Sequence, residues 1–293
     1  MKEAAPHGLL PSHPDYELVK RLEEAIYRYA KGVERFKKEV PVLLRRAIDE
    51  VIDTARSNRF TLDETEKTEK TYLGTKVEIL LRFFLKMPRG NKLDLSIDGT
   101  ETDIKNTIHQ TWTIPREAMG HPCIVIKTNE KRAVCSFGII VIRDDVLNIG
   151  ENRDKKRTIS KAGQEQIHWL LKDEPYPENF WQNLNPKLKR EIISQPSGTK
   201  RLAALCRLVQ QRPISRGIVH GLGQQNDALK RLRKNGGARD ALAREGVAVL
   251  SGQYDRDLIR ELGLPECGRD EFISYTPLLQ EEIAKLRELG RIE

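Results

Sequence analysis

Apolar residues recur along this chain in two rhythms, one near 3.6 residues and one of two, and the changes between them mark out the elements. Leu18, Leu22, Ile26 and Tyr29 form one helical stripe and Leu43, Leu44, Ile48, Val51 and Ile52 another, with Pro41 between them. These predict two packing helices from Tyr16 to about Arg56, after a proline-bearing arm over residues 1–14. Leu73, Val77, Leu80, Leu81 and Phe84 predict a third amphipathic helix over about 71–86. The rhythm then drops to two. Leu93, Leu95, Ile97 and Ile104 fall on one side of a hairpin whose turn is Asp98-Gly99, the dipeptide favoured in tight two-residue connections. Cys123–Ile126 and Ala133–Ile142 read as buried strands, Gln110–Met119 as a loop, and Ala162–Leu171 as a helix.

The hairpin carries the candidate chemistry. Counting outward from its turn pairs Ile97 with Thr100, Ser96 with Glu101, Leu95 with Thr102 and Asp94 with Asp103. Asp94, Ser96, Glu101, Asp103 and Lys105 then share the side opposite the apolar one, as a two-residue period requires. Like charges directly opposed across strands are destabilising. A hard divalent cation held by the two carboxylates would remove that repulsion and create a catalytic centre, with Lys105 placed to act on a water or on phosphate charge. A ribbon with a solvated charged side gives the same pattern. Glu78, on the helix before, either leans over the ionic side as a third carboxylate or pairs with Arg82 at i+4 on the surface.

Composition narrows the class. A chain of 293 residues has room for two domains. With 38% hydrophobic and 32% charged residues it reads as soluble and globular, without a run long enough to span a membrane and without a signal-peptide core in MKEAAPHGLL. The four cysteines are scattered and the six histidines form no metal-ligand spacing, which points to reduced thiols in a cytoplasm. A net charge of +8 favours a polyanionic partner. Where that charge lies matters more. Between Lys200 and Glu245 there are eleven Lys and Arg against three acids, an excess equal to that of the whole chain.

That basic half follows a proline-rich stretch over 172–199, the best candidate boundary. Helices are expected near Arg201–Gln211, from Ser215 to about Leu222, and from Gln224 to Lys234, with a short strand at Val247–Leu250 and a charged helix at Leu278–Leu289. Helices joined by a Gly223 turn and followed by a strand fit a winged helix-turn-helix; a charged helical bundle fits as well. In the first reading Gln224, Gln225 and Asn226 carry amides able to read adenine edges, while Lys230, Arg231, Arg233, Lys234 and Arg239 hold backbone or guanine. In the first half, the basic run NRDKKRTISK offers Arg153, Lys155, Lys156 and Arg157 to phosphates, or is a solvated loop. His121, at a strand entrance, either contacts substrate or is structural.

Lys67 to Thr71, Gly74, Thr75, Val77, Glu78 and Ile79, then Asp94, Ile97, Gly99, Asp103 and Lys105, resemble the catalytic region of the NaeI family of type II restriction endonucleases, within the PD-(D/E)xK nucleases. The resemblance continues through Gly120-His121, the Asn-Arg-Asp start at Asn152, Gln224-Gln225, Gly236-Gly237-Ala238-Arg239 and Leu262-Gly263-Leu264-Pro265, so it spans about residues 40–265. It implies that Glu78, Asp94 and Asp103 are acidic active-site residues binding Mg²⁺ and that Lys105 is the catalytic lysine. It departs from the superfamily's short name in having Leu93, not proline, before Asp94, and Asn106 after the lysine.

The fold implied is an α/β (α+β) restriction-endonuclease-like nuclease domain over 1–172, a linker over 173–199, and a winged helix-turn-helix domain over 200–293. The resemblance also implies a homodimer acting on double-stranded DNA, with occupation of one DNA site activating cleavage at another. Two rivals stay open: a repair or antiphage nuclease without a palindromic site, and a DNA-binding regulator that retains an inactive nuclease fold.

Overall fold

The structure is a computed structural model that describes residues 9–223, 232 and 237–293. The helix expected over Gln224–Lys234 lies outside the described residues, save Leu232. The described chain forms two compact units. One comprises residues up to Val51 together with Thr65–Asn179, and the other Ile52–Glu64 with Phe180–Glu293.

Helix α1 (Tyr16–Tyr29) buries Val19, Leu22, Ala25 and Ile26. The break before α2 (Val33–Ile52) comes at Lys31 and Gly32, both at positive φ, and not at Pro41, which lies inside α2. A proline inside a helix forfeits one backbone hydrogen bond. Here burial of Val40, Leu44, Ala47 and Ile48 along the same helix outweighs that loss. Helix α3 (Thr54–Ser57) is one turn in the second unit.

Helix α4 (Lys67–Leu85) starts six residues before its apolar rhythm does at Leu73, because the Glu69 carboxylate accepts the Glu66 N–H at 2.8 Å, a capping-box contact. Next come β1 (Leu95–Ile97) and β2 (Thr100–Thr107), paired in the expected register. Asp98 and Gly99 both take positive φ, 47° and 82°, as a type I′ turn demands. Then follow β3 (Thr113–Ile114), β4 (Pro122–Asn129), β5 (Val134–Val141), β6 (Leu147–Glu151), β7 (Arg157–Ile159), α5 (Lys161–Glu165) and β8 (His168–Pro175).

The expected helix over 162–171 is thus a five-residue helix followed by a strand. Its apolar run, Ile167 to Leu171, is the kind that periodicity alone cannot assign. Pairing with β5 decides it, Phe137 with Leu171 and Ile139 with His168.

The main sheet runs β1-β2-β4-β5-β8, with β2 and β4 parallel and its other neighbours antiparallel. A smaller sheet runs β3-β7-β6. One face of the main sheet, through Cys123, Val125 and Ile140, packs with Trp112, Leu147 and Ile159 of the smaller one. Trp112 donates its indole N–H to the Ile126 carbonyl at 2.7 Å. On β5, Phe137 meets Phe36 of α2 edge to face at 5.1 Å.

The second unit contains α6 (Pro186–Ile193), α7 (Gly198–Leu208), β9 (Ile214–Ser215), α8 (Arg216–Gly223), α9 (Ala238–Arg244), β10 (Ala248–Ser251), α10 (Arg256–Glu261), β11 (Glu271–Tyr275) and α11 (Gln280–Glu288). Its antiparallel sheet runs β10-β11-β9. The stretch 173–199 is not a bare connector. It begins within β8, includes α6, and buries Phe180, Trp181 and Ile192 in the core of the second unit, against which Phe60 also packs. All four cysteines are buried free thiols, and among the described residues no helix is long and apolar enough to cross a membrane.

Candidate active site

Asp103 and Lys105 sit two apart on β2 and so project to one side, that of their parallel partners Cys123 and Val125 on β4. Asp94 stands one residue before β1. The ladder stops at Leu95–Thr102, short of the expected Asp94–Asp103 pair, and Asp94 Oδ2 instead accepts the Ile104 N–H at 2.9 Å. The two aspartates converge. Lys105 Nζ lies 2.8 Å from Asp103 Oδ1, 2.7 Å from Asp103 Oδ2 and 3.7 Å from Asp94 Oδ2, and donates to the Ile104 carbonyl at 3.0 Å. An ammonium therefore sits among two carboxylates and a main-chain oxygen.

Burial, together with the neighbouring Asp94 carboxylate, pushes the Asp103 acid up to about 6 even though Lys105 pulls it down. For Lys105 burial works against the charge, yet Asp103 more than offsets it, so its pKa is raised and it stands as an ammonium. Asp103 is 3% exposed, and its Oδ2 has no directed hydrogen bond despite the nearby Nζ.

Glu78 takes the i+4 pairing of its two expected roles, while the Asp94 charge still reaches it. It pairs with Arg82 at 3.5 Å, and its carboxyl is raised by burial and then by the Asp94 charge, with Arg82, Arg89 and Lys105 opposing.

Among the described residues, no three His, Cys, Asp or Glu side chains are already gathered as a metal cage. Asp94 and Asp103 nevertheless suit a hard divalent cation. They are oxygen donors, one of their oxygens is buried without a directed bond, and a positive charge is already drawn among them. The Ile104 carbonyl is a further oxygen on that spot. Residue type could not have singled it out, since every residue has a carbonyl.

The other expected contacts divide. Arg153, Lys155 and Lys156 are exposed at the tip of the β6–β7 hairpin, where Asn152 Oδ1 accepts the N–H groups of Asp154 and Lys156 and holds the turn. Arg157 is not presented outward. Its guanidinium is held by Asp144 Oδ1 and, at 2.7 Å, by the Asn148 carbonyl. Arg239 is half-buried, its pKa lowered by that burial, with Asp255 nearby. It packs inside its own unit. Gln224, Gln225, Asn226, Lys230, Arg231, Arg233 and Lys234 lie outside the described residues. His121 is fixed through its backbone, accepting the Ile142 N–H at 2.9 Å at the entrance to β4.

Two comparisons bear on this centre. A model of the restriction endonuclease NaeI family matches residues 37–282, a span that contains Glu78, Asp94, Asp103 and Lys105. The chain belongs to the NaeI family of restriction endonucleases. The type II restriction enzyme NaeI of Lentzea aerocolonigenes is 34% identical over 233 residues, covering 76% of this chain and 73% of that protein. As a member of the NaeI family the chain is a type II restriction endonuclease, a site-specific deoxyribonuclease. The match runs from α2 into α11, so the NaeI likeness includes most of the second unit as well as the acidic hairpin.

Proposed function

We propose that this chain cuts both strands of duplex DNA at a specific palindromic site, using Mg²⁺ held by Asp94 and Asp103 with Glu78 completing the shell. The convergence of two aspartates and a lysine on one point carries this reading. The Ile104 carbonyl, 3.0 Å from Lys105 Nζ, would offer a further oxygen there. When bound, the divalent ion polarises the scissile phosphate and makes a water acidic enough to attack.

The protein's own groups do the rest. Lys105, two residues from Asp103 on the same side of β2, would place its ammonium against charge growing on the phosphate. Asp103, whose acid is held up to about 6 by burial and Asp94, would present a carboxylate oxygen to that ion. Glu78, now 3.5 Å from Arg82, would lend the third carboxylate. Arg153, Lys155 and Lys156 grip phosphates from the β6–β7 tip. Arg157 braces that tip from within.

The second unit is a winged-helix domain that holds a second DNA segment. Supporting this are three helices, α7, α8 and α9, ahead of the antiparallel pair β10 and β11, and the concentration of basic residues over 200–245. Its DNA-reading residues are Gln224, Gln225 and Asn226, with Lys230, Arg231, Arg233 and Lys234 on the backbone. Arg239, half-buried, acts as a support and not as a contact. A homodimer supplies one active site to each strand, matching the twofold symmetry of a palindrome. Filling the second DNA site activates cleavage at the first.

Digestion of a plasmid with Mg²⁺, followed by sequencing of the ends, tests the reading. The expected result is a discrete ladder with one end sequence, abolished by chelation and accelerated by adding a short duplex that carries the site. A smear, structure-dependent nicking or no cut at all would count against it.

A further inference from the structure

Glu101 shares the ionic side of the hairpin with Asp103 and Lys105, yet its carboxylate serves a different partner. It faces back to the segment between α4 and β1. Oε1 accepts the Asn91 N–H at 2.7 Å, and Oε2 accepts those of Lys92 and Leu93 at 3.0 and 2.9 Å. Three consecutive backbone donors thus close on one carboxylate, the concave arrangement that suits an anion.

The segment is shaped to fit it. A Cβ on Gly90 would fall 2.6 Å from Glu101 Oε2, 2.5 Å from the Leu93 carbonyl and 2.8 Å from that of Leu95. Only glycine leaves the carboxylate its place. On the far side Ser96 N–H bonds to the Pro88 carbonyl at 3.1 Å. The residue that follows the clamped triplet is Asp94.

Asp94 itself lies outside the β1 ladder, so regular pairing does not fix it. Besides its pairing with Lys105 at 3.7 Å, the Ile104 N–H bond on one side and the clamped turn on the other set where its carboxylate points. We propose that Glu101 is a positioning residue that holds the 90–93 turn so that the Asp94 carboxylate meets Asp103 and Lys105. The proposal rests on the nuclease reading of that centre. Glu101 does not enter the ion's shell; its oxygens are spent on backbone N–H groups.

Removing partners that orient ligands typically weakens metal affinity or activity by about 10–100-fold. The full-length protein with Glu101→Ala and Gly90→Ala is compared with wild type in three measurements. These are Ca²⁺ binding by calorimetry, single-turnover DNA cleavage across Mg²⁺ concentrations, and hydrogen exchange of the amides of residues 91–93. Expected for both variants is Ca²⁺ affinity and half-saturating Mg²⁺ worse by about tenfold or more, a smaller change in the rate at saturating Mg²⁺, and faster exchange at 91–93.

Wild-type Ca²⁺ affinity and Mg²⁺ dependence in Glu101→Ala, or unchanged exchange at those amides, overturns the proposal. If Glu101→Ala does not fold, Glu101→Gln decides in its place: it keeps the side-chain shape but offers the three N–H groups only one acceptor oxygen. Asp94→Ala separates the two failures. Should it cleave like wild type, the nuclease centre itself is wrong, whereas an inactive Asp94→Ala beside an unaffected Glu101→Ala refutes only the positioning role.

Discussion

Two buried acids in the same unit are treated in opposite ways. Glu23, on α1, accepts from His168 of β8 at 3.1 Å and pairs with Lys20 one turn earlier. The His168 hydrogen bond does most to bring its carboxyl down to about 2, against the opposing effect of burial. Asp103 also has a cationic neighbour, yet burial and Asp94 leave it at about 6. Glu23 is satisfied and fastens a helix to the sheet. Asp103 is left wanting, and an acid left wanting beside a second carboxylate has something still to bind. Under the proposed nuclease reading, the contrast is between an ion pair kept for stability and one kept for chemistry.

The sharpest way to break the contrast is to neutralise each acid and assay cleavage. Asp103→Asn and Lys105→Ala are each expected to slow single-turnover cleavage by about 10³-fold or more, the several kcal/mol that charge stabilisation at a phosphate contributes, while DNA binding in Ca²⁺ survives. Glu23→Gln should cleave at the wild-type rate. A reversal of that pattern would mean the two acids have been assigned the wrong roles.

Stability gives the opposite ranking. Glu23→Gln is expected to cost about 1–3 kcal/mol in denaturant unfolding at pH 7, as for a hydrogen bond to a charged group. Because its folded pKa is depressed, the Glu23 contribution is complete above about 4.5 and is lost as pH falls through about 2. An unfolding curve that shows no such acid-side loss relative to Glu23→Gln contradicts the pairing.

A smaller effect tests the hairpin tip. Replacing Arg153, Lys155 and Lys156 together by Ala should flatten the slope of log K against log salt for DNA binding, by up to about 0.9 for each phosphate no longer neutralised. Arg157→Ala should instead lower thermal stability, since Arg157 braces Asp144 and Asn148. An unchanged slope in the triple variant removes the tip from the DNA interface.

The register of the β1–β2 hairpin is legible in the sequence because its information is local. Asp98-Gly99 sets the turn, the period of two sets the faces, and a slip of one residue would expose Leu95 and Ile97, so the register follows. Elsewhere the deciding contacts are distant in sequence. Pro41 suggested a break that burial of Val40 and Leu44 overrides, and Ile167–Leu171 became strand only because β5 lies beside it. The prolines of 173–199 looked like a linker, yet Phe180 and Trp181 needed a core and found one. Arg157 and Arg239 match the other basic residues around them in type; what sets them apart is Asp144 in one case and burial near Asp255 in the other. Glu101 was grouped rightly with the ionic side, but its partners are backbone amides, which no side-chain pattern encodes.

The unmet state of Asp103 can be measured without any DNA. In chelator, unfolding free energies of wild type and Asp103→Asn are compared from pH 3.5 to 8. An acid whose folded pKa is raised from 3.8 to about 6 makes the folded state less stable as pH climbs through that window. Asp103→Asn should therefore match wild type near pH 3.5 and exceed it above pH 6, by on the order of 2–3 kcal/mol. An Asp103→Asn protein that is less stable than wild type at pH 8, or a difference that does not change with pH, would show that Asp103 is a satisfied structural acid like Glu23.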